Sequence, residues 1–365
     1  MSIYGLFYTI KYKKILINQN FFYLFILFYI YIIISSTIST VRYESYGSSL
    51  FFIRYLFFFI SLSLVLSKLS KNDYKFISVF LIIYLTFLCV DSFYQFLFGV
   101  NLIGIEKYHE VRISSFFADE LILGSYVSKI IPLILSLILL SNLKNKEYLL
   151  MISIVLSLKL IFLSAERSAL VIFFIFLILI FFKQVFSFIN RLIILTFIFI
   201  SLSTLAITDN NLKERIIFLT MEQITAHNQI NIFSYQHTTH IKTAYNIFLD
   251  NKFIGAGPRS FRFLCSDDKY FVNEDGCSTH PHNYYVQILS ETGLIGLLSI
   301  ILFYLWIIKI YISSRIRELS VISAGMISIY FPFVPSMNFF GSWNLGLIST
   351  TLGLMLYIIY SNKIK

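Results

Sequence analysis

Charged residues are scarce in this sequence. Only 13% of its 365 residues are Asp, Glu, Lys or Arg, whereas 58% are hydrophobic, and a soluble domain usually carries about 25% charged residues. Such a chain cannot cover itself with polar surface. A soluble globular protein is therefore excluded, and a lipid bilayer is the expected solvent.

A single basic patch is also absent, although the formal net charge is +10. The Lys and Arg residues stand instead in short clusters between apolar runs. This distribution argues against nucleic-acid binding and is typical of the residues that set the topology of a membrane protein. No cleavable signal peptide is evident, because the first apolar run is long enough to remain as a membrane anchor.

Ten apolar segments predict transmembrane helices, since about 20 apolar residues span a bilayer. The predicted spans are residues 21–38, 50–67, 76–98, 121–141, 148–164, 168–183, 192–208, 294–312, 319–336 and 344–361. This pattern divides the chain into transmembrane helices one to seven with short loops (1–208), one large loop (209–293) and transmembrane helices eight to ten (294–365). The predicted fold class is an all-α polytopic membrane protein.

The basic residues also predict the orientation of the spans. Among the short connections, one set together with both termini holds fifteen Lys and Arg residues, and the alternate set holds four. The richer set is expected on the cytoplasmic side. The long loop and the turn at 164–168 are then expected on the outer side of the membrane.

The centre of the long loop, residues 240–253, predicts an amphipathic helix that lies on the membrane or on the helix bundle. Its apolar residues at helical spacing are Ile241, Ala244, Tyr245, Phe248 and Leu249. The following Gly255–Pro258 ends this helix. These glycines lack the strand and the Lys-Ser/Thr ending of a nucleotide-binding loop, so a tight turn that places Arg259 and Arg262 near the membrane surface is expected.

Two short polar motifs are candidates for chemistry. His280-Pro281-His282-Asn283 ends the long loop, where a water-accessible His is well placed to act as a general base; helix capping and adventitious metal binding are the alternatives. No Cys or carboxylate stands at zinc-ligand spacing from these histidines. Glu166-Arg167 lies between two apolar helices, where charges are costly unless they pair or face a wet cavity. Its structural alternative is a turn whose Arg reaches the headgroups.

The connection before the predicted fourth span also carries charge. Asp119 and Glu120 are interpreted as caps at the start of that helix, where acids favour the helix dipole; orienting an acceptor hydroxyl is the alternative.

Cysteine is rare, with three in the chain. Cys89 lies within a predicted span, whereas Cys265 and Cys277 lie in the long loop. Two thiols twelve residues apart in an oxidising compartment favour a disulfide. Such a bond would close the loop just before the histidine motif and limit its motion.

Several segments form an ordered set of motifs. Three of them, in the loop and its exit, are Gly255–Arg262, Cys277–Tyr284 and Leu289–Gly296, and two lie upstream, Arg112–Glu120 and Ser164–Ala169. Together they resemble the signature of the O-antigen ligase and O-antigen polymerase superfamily. The similarity spans about residues 110–300, and it is specific to the superfamily rather than to one activity within it.

The resemblance implies a fold and an activity. The fold is that of a C-type glycosyltransferase-like membrane protein with one large periplasmic loop that contains amphipathic helices, in the bacterial inner membrane. The activity is metal-independent, inverting glycosyl transfer at the periplasmic face, with no cofactor, from a glycan on undecaprenyl diphosphate. In the ligases the acceptor is the lipid A core, and in O-antigen or exopolysaccharide polymerases it is another lipid-linked repeat unit. The surrounding membrane lipids are the remaining partners.

The resemblance also assigns residues. The family's catalytic His corresponds to His282, and its loop Arg, which binds the diphosphate, corresponds to Arg167. A second family Arg is absent from residues 237–242, and Lys242 or Arg262 is expected to replace it. The substrate-binding candidates are Arg262, Lys242, Arg112, His280 and Arg259. Ten spans are also fewer than the twelve usual for the ligases.

A secondary transporter is the alternative from another functional class. Transporters commonly show paired broken helices and a binding site near the bilayer midplane. In this sequence the polar residues gather instead toward one end of the predicted helices and in one asymmetric loop. This asymmetry favours an enzyme.

Overall fold

The computed structural model describes residues 20–208, 214, 218–225 and 233–363. These residues are mostly helical, and within them we find no β-strand, only an isolated bridge between Val100 and Glu106. The helices are α1 (Asn20–Ile38), α2 (Arg42–Ser49), α3 (Ile53–Ser67), α4 (Lys71–Phe98), α5 (Leu123–Leu140), α6 (Lys146–Ser164), α7 (Arg167–Phe182), α8 (Phe188–Thr208), α9 (Leu219–Thr225), α10 (Tyr235–Asp250), α11 (Phe261–Leu264), α12 (Tyr284–Ser313), α13 (Arg317–Ile329) and α14 (Ser342–Lys363).

Six helical segments are long and apolar enough to cross a bilayer in the part of the chain that the structure describes. They are Arg42–Ser67, Lys71–Phe98, Leu123–Leu140, Lys146–Ser164, Tyr284–Ser313 and Ser342–Asn362. Three shorter apolar helical stretches are Phe22–Ile38, Arg167–Phe182 and Phe188–Ser201. The predicted class, an all-α multi-pass membrane protein, is confirmed. The count of ten spans and the periplasmic placement of the long loop remain predictions, and residues 1–19, the part of that loop at 209–213, 215–217 and 226–232, and residues 364–365 lie outside the described residues.

The ninth predicted span is longer than the helix that is found there. Helix α13 ends at Ile329, whereas the sequence predicted a span over 319–336. Pro332 and Pro335 follow within six residues. Each proline lacks a backbone N–H and disfavours helical backbone in the residue before it. The apolar run of this segment therefore continues past the end of its helix.

The described residues belong to two compact units. The first unit takes in Met1–Ser67, Gln223–Ile312 and Tyr330–Lys365, and the second takes in Lys68–Glu222 and Ser313–Ile329. In the first unit α3 packs along α14, and aromatic rings from α1 and the loop before α14 pack on Phe52, with ring centroids 5.8 Å from Phe28 and 6.5 Å from Phe339.

The second unit is centred on α5, which packs against α4, α6, α7 and α13. Helix α5 contains Pro132, which lies directly against Gly325 of α13, where a Cβ atom would come within 2.4 Å of the proline ring. Because the ring fills the space left by the glycine, the two helices approach closely at this position. Helix α4 begins at a capping box formed by Ser70 and Asp73 and ends at Gly99 in the left-handed conformation, which is a common pairing of helix start and stop signals.

Helix α12 is broken at Gly293, whose φ of 66° is left-handed. A Cβ at this position would lie 2.3 Å from the carbonyl oxygen of Phe253, so only glycine allows this close approach. The break separates a short helical segment that begins at Tyr284 from the apolar run that the sequence predicted from residue 294. The short segment carries the residues that position the candidate site.

Candidate functional site

Four histidines of the first unit cluster together. His237 and His240 lie three residues apart on α10, and therefore on one face of that helix. His280 and His282 come from the segment before α12. The ring centroid of His282 lies 4.1 Å from that of His280, 5.1 Å from that of His237 and 5.2 Å from that of His240. His282 is thus the central member of the cluster.

The backbone around His282 is fixed by its neighbours. His282 has a left-handed φ of 54°, which is uncommon and costly for a residue with a Cβ. Its carbonyl oxygen accepts a hydrogen bond of 2.7 Å from the Ser336 backbone N–H. The next residue, Asn283, caps α12, because its side-chain oxygen accepts the N–H groups of Tyr285 at 3.0 Å and Val286 at 3.2 Å. Asn283 is therefore the residue that caps α12, and both histidines of the motif are available for other roles.

The two histidine rings of this motif differ in their hydrogen bonds. His280 Nε2 lies 3.2 Å from the Ser336 carbonyl, and its Nδ1 lies 2.9 Å from the Thr279 hydroxyl, so both nitrogens of His280 are occupied. His282 Nε2 lies 3.2 Å from the Ser278 hydroxyl. Among the residues the structure describes, no hydrogen-bond partner meets His282 Nδ1. His282 therefore has a ring nitrogen free to meet a substrate.

His280 and His282 are neutral near pH 7. Burial, together with the neighbouring imidazoles, lowers the pKa of His280 to about 4 and the pKa of His282 to about 2. Burial also lowers the pKa of His240, against the opposing effect of Asp275. A neutral imidazole can accept a proton or a hydrogen bond from a hydroxyl, as a general base must.

These depressed pKa values predict that acid destabilises the protein. Above pH 6.5, His280 is neutral in both the folded and the unfolded chain. Between pH 6.5 and about 4, the unfolded chain binds a proton that the folded one does not, so the free energy of unfolding should fall by about 1.4 kcal/mol per pH unit for this residue. Thermal unfolding midpoints of wild type and His280→Gln, measured from pH 7.5 to 5.0, should show a shallower decline in the variant. Parallel declines would contradict this.

Arg259 and Arg262 follow the predicted tight turn, and the buried Glu291 of α12 organises this segment. Its carboxylate accepts the Phe261 backbone N–H at 3.2 Å and the Gln287 side-chain amide at 3.1 Å, and the Arg259 backbone N–H also donates to it. Burial, followed by the nearby Arg259, lowers the pKa of Arg262, and Arg262 in turn lowers the pKa of His280. Arg262 is therefore close enough to the histidine cluster to add positive charge to it.

Among the described residues, several buried polar atoms of this region lack a partner. They include His240 Nδ1, Ser260 Oγ and Arg262 Nε. A buried polar atom that is left unsatisfied costs about 1–3 kcal/mol, so such atoms mark places where water or a ligand completes the hydrogen bonding. The other candidate cation, Lys242, is exposed. It lies two residues after His240, about 200° around α10, and so away from the histidine face.

The buried face of α10 differs from the predicted one. Of the five predicted apolar residues only Ala244 is fully buried, in a small core with Ile247, Phe261 and Cys265. Tyr245 and Leu249 are 51% and 44% exposed. The helix therefore packs on the loop's own core rather than presenting its whole apolar face to one partner.

Cys265 and Cys277 form a disulfide, with their Cα atoms 5.0 Å apart. Replacing both by Ser should lower the free energy of unfolding by about 3 kcal/mol in the chain-entropy model for a loop of this length. The turnover of the folded protein should change little, because neither sulfur belongs to the histidine cluster. Cys89→Ser, which removes the free thiol of α4, is the matched control. Finding both thiols free in the unreduced protein by mass spectrometry would overturn this prediction.

Arg167 and Arg112 belong to the second unit. Arg167 begins α7, and its NH1 donates a 3.0 Å hydrogen bond to the Thr220 hydroxyl. Arg112 donates to the Leu121 carbonyl at 2.6 Å and lies 3.9 Å from the Glu166 carboxylate. The structure thus places Arg112 at a loop junction with its guanidinium already engaged.

Helix α5 is capped by Glu166, and not by the acidic residues that precede it. The Glu166 carboxylate accepts the Gly124 N–H at 2.7 Å and the Ser125 N–H at 3.2 Å. Asp119 and Glu120 are exposed, and no side chain of the residue preceding α5 caps it. The expectation that these two acids cap the helix was wrong, because Glu166 reaches its first turn from 42 residues further along the chain.

Some members of the site gave no clear signal in the sequence. His237 and His240 were read only as positions where an Arg is missing, yet their spacing of three residues places both on one helical face. Glu291 lies between Ser290 and Thr292 within one of the recognised motifs, but no role was predicted for it. Its backbone donors, Arg259 and Phe261, come from the preceding turn, and no local pattern indicates that contact.

These features define the class of the protein: an all-α, multi-pass membrane protein with a histidine cluster where a loop module meets one of its apolar helices. Residues 152–301 match the family model described as O-antigen ligase. This match confirms the superfamily resemblance of the motifs that lie within residues 152–301. No curated protein matches the chain. The family implies a glycosyltransferase-like enzyme of the ligase or polymerase type that uses lipid-linked glycans.

Proposed function

We propose that this protein transfers a glycan from undecaprenyl diphosphate to a hydroxyl of the lipid A core, at the periplasmic face of the bacterial inner membrane. The observation that carries the proposal is the neutral His282, central in its cluster and with a free ring nitrogen, within the region that matches the O-antigen ligases. An acceptor hydroxyl needs a group of this kind to align it and to take its proton.

The chemistry requires two separate tasks. The acceptor oxygen forms a bond to the anomeric carbon, the bond from that carbon to the diphosphate breaks, and the acceptor proton passes to His282. The leaving diphosphate needs its charge neutralised, a task suited to the planar donor fork of Arg. We assign this second task to Arg167, with Arg262 and Arg259 as further substrate contacts.

The transfer is proposed to need no metal. The diphosphate is already a good leaving group, and guanidinium groups can neutralise it without Lewis-acid assistance. Activity should therefore survive a chelator in an assay with purified lipid-linked glycan. Loss of activity with the chelator would instead point to a metal held by His280 and His282.

The surface glycan of a deletion strain tests the choice of acceptor. If the protein is a ligase, a denaturing gel should show lipid A core without any attached long glycan. If single repeat units remain attached to the core, the polymerase activity of the same superfamily is supported instead, and the acceptor is a second lipid-linked repeat.

A further inference from the structure

A cavity of about 620 Å³ opens in the second unit, beside the connection between α5 and α6. Its walls come from the first turns of α4, from this connection and from the first two turns of α6. The polar lining residues are Lys75, Asn142, Lys144, Asn145 and Tyr148. None of them has a part in the transfer reaction proposed above.

The lining carries two positive charges and no negative one. The acidic residues nearest in sequence are turned to other partners: Asp73 accepts the Ser70 backbone N–H at 2.8 Å, and Glu147 pairs with Arg317 at 2.7 Å. Throughout the ranges that the structure covers, neither Lys75 nor Lys144 forms an ion pair. Both ammonium groups are therefore available to an anion, and a lining without carboxylates favours one.

Neutral donors surround the two lysines. Asn142 is held by a 2.7 Å hydrogen bond from its amide to the Asn72 side chain. The first turn of α6 has no side-chain cap at Asn145, so its N–H groups and the positive end of the helix dipole add to the field of the lysines. Several N–H donors together with ammonium groups are what the oxygens of a phosphate require.

The other wall of the cavity is apolar. Leu149 and Ile152 line it, and Ile152 is 48% exposed on α6. Phe76, next to Lys75 on α4, is 75% exposed. Both helices are apolar and long enough to cross a bilayer, so these exposed apolar side chains are expected to face lipid. The cavity thus has lysines at one end and an apolar wall along its side.

We propose that this cavity binds the headgroup of an anionic phospholipid, with the phosphate between Lys75 and Lys144 and the acyl chains along Ile152 and Phe76. The apolar wall selects a lipid over a soluble phosphate, because a free anion gains nothing from it. This site lies outside the proposed transfer chemistry, and its occupancy does not depend on which glycan the protein moves.

The test measures lipid binding to the full-length protein in detergent by native mass spectrometry. The probes are phosphatidylglycerol, neutral phosphatidylcholine and glycerol 3-phosphate, which has the anionic headgroup without acyl chains. The double variant Lys75→Gln/Lys144→Gln is compared with Lys107→Gln/Lys252→Gln, which loses the same charge elsewhere. Because the first variant loses both ammonium groups of the cavity, it should bind phosphatidylglycerol about 30-fold more weakly, and the second should bind it within about twofold of wild type.

The other probes and one further variant distinguish a lipid headgroup from a soluble phosphate as the ligand. Phosphatidylcholine should bind all three proteins weakly and equally, and glycerol 3-phosphate should bind far more weakly than phosphatidylglycerol. Ile152→Ser, which removes apolar surface without adding charge, should weaken phosphatidylglycerol binding without changing the response to glycerol 3-phosphate. Equal phosphatidylglycerol affinity in the two double variants would overturn the site. Glycerol 3-phosphate binding as tight as that of the lipid would overturn the assignment to a lipid.

Discussion

Replacement of His282 by Ala is expected to lower the rate of glycan transfer by about 100- to 10,000-fold, the range for loss of a general base. Donor binding should stay close to that of wild type, because the variant loses the group that meets the acceptor and keeps the cations that meet the diphosphate. The ring lies at the centre of the histidine cluster, and its Nδ1 has no partner among the described residues. Transfer from purified lipid-linked glycan, measured in parallel with donor binding, gives both quantities.

His280→Ala is the matched control for this prediction. His280 also belongs to the cluster, but its Nδ1 is hydrogen-bonded to Thr279 and its Nε2 to Ser336. Its loss should disturb the cluster and produce a milder defect. Turnover like that of wild type in His282→Ala, or equal losses in both variants, would remove His282 from the role of general base.

Replacement of Arg167 by Ala, unlike that of His282, should weaken donor binding as well as turnover. A hydrogen bond to a charged group contributes about 1.5–3 kcal/mol, which corresponds to donor binding about 10- to 100-fold weaker. Arg167→Lys should rescue poorly, because an ammonium group cannot reproduce the paired donors of a guanidinium. The measurement is the affinity for the lipid-linked donor, followed by single-turnover transfer.

Thr220→Val is the control for Arg167. Thr220 accepts a 3.0 Å hydrogen bond from Arg167 NH1, and valine keeps its shape without the oxygen. If Arg167 acts on the donor, Thr220→Val should cost much less than Arg167→Ala. An equal loss would mean that the Arg holds the local structure instead. Unchanged donor binding in Arg167→Ala would exclude it from the diphosphate site.

Much of the fold could be predicted from the sequence because it depends on local composition. Apolar runs of about 20 residues form helices in a bilayer whatever their partners, and every predicted span overlaps a helix. The turn at Gly255–Pro258 and the helix over 240–253 also follow from local signals, and the helix is found at Tyr235–Asp250. The start of the apolar run at residue 294 matches the break at Gly293.

The site could be predicted only in part, because its contacts join distant segments. The motif that contains His282 indicated a site at the end of the loop. That α10 packs against this motif depends on the tertiary fold of the loop, which the sequence does not show. Glu166 was predicted to need a partner, yet that partner is the first turn of α5, which no local pattern indicates. The extent of α13 was mispredicted because hydropathy does not register the prolines that follow it.

Hydroxyl groups from α1, α2 and a residue between them hold the turn before Arg259 by hydrogen bonds to its carbonyls. Tyr31 donates to the Phe253 carbonyl at 2.9 Å, Ser35 to Ile254 at 2.9 Å, Ser39 to Ala256 at 2.7 Å and Ser45 to Pro258 at 2.9 Å. All four donors lie outside residues 152–301, the region that matches the family model. Expressed alone, that region would leave these four carbonyls without their donors, and we expect the arginine-bearing turn to lose its shape. The turn is recognisable by its own sequence, but its conformation also depends on α1 and α2.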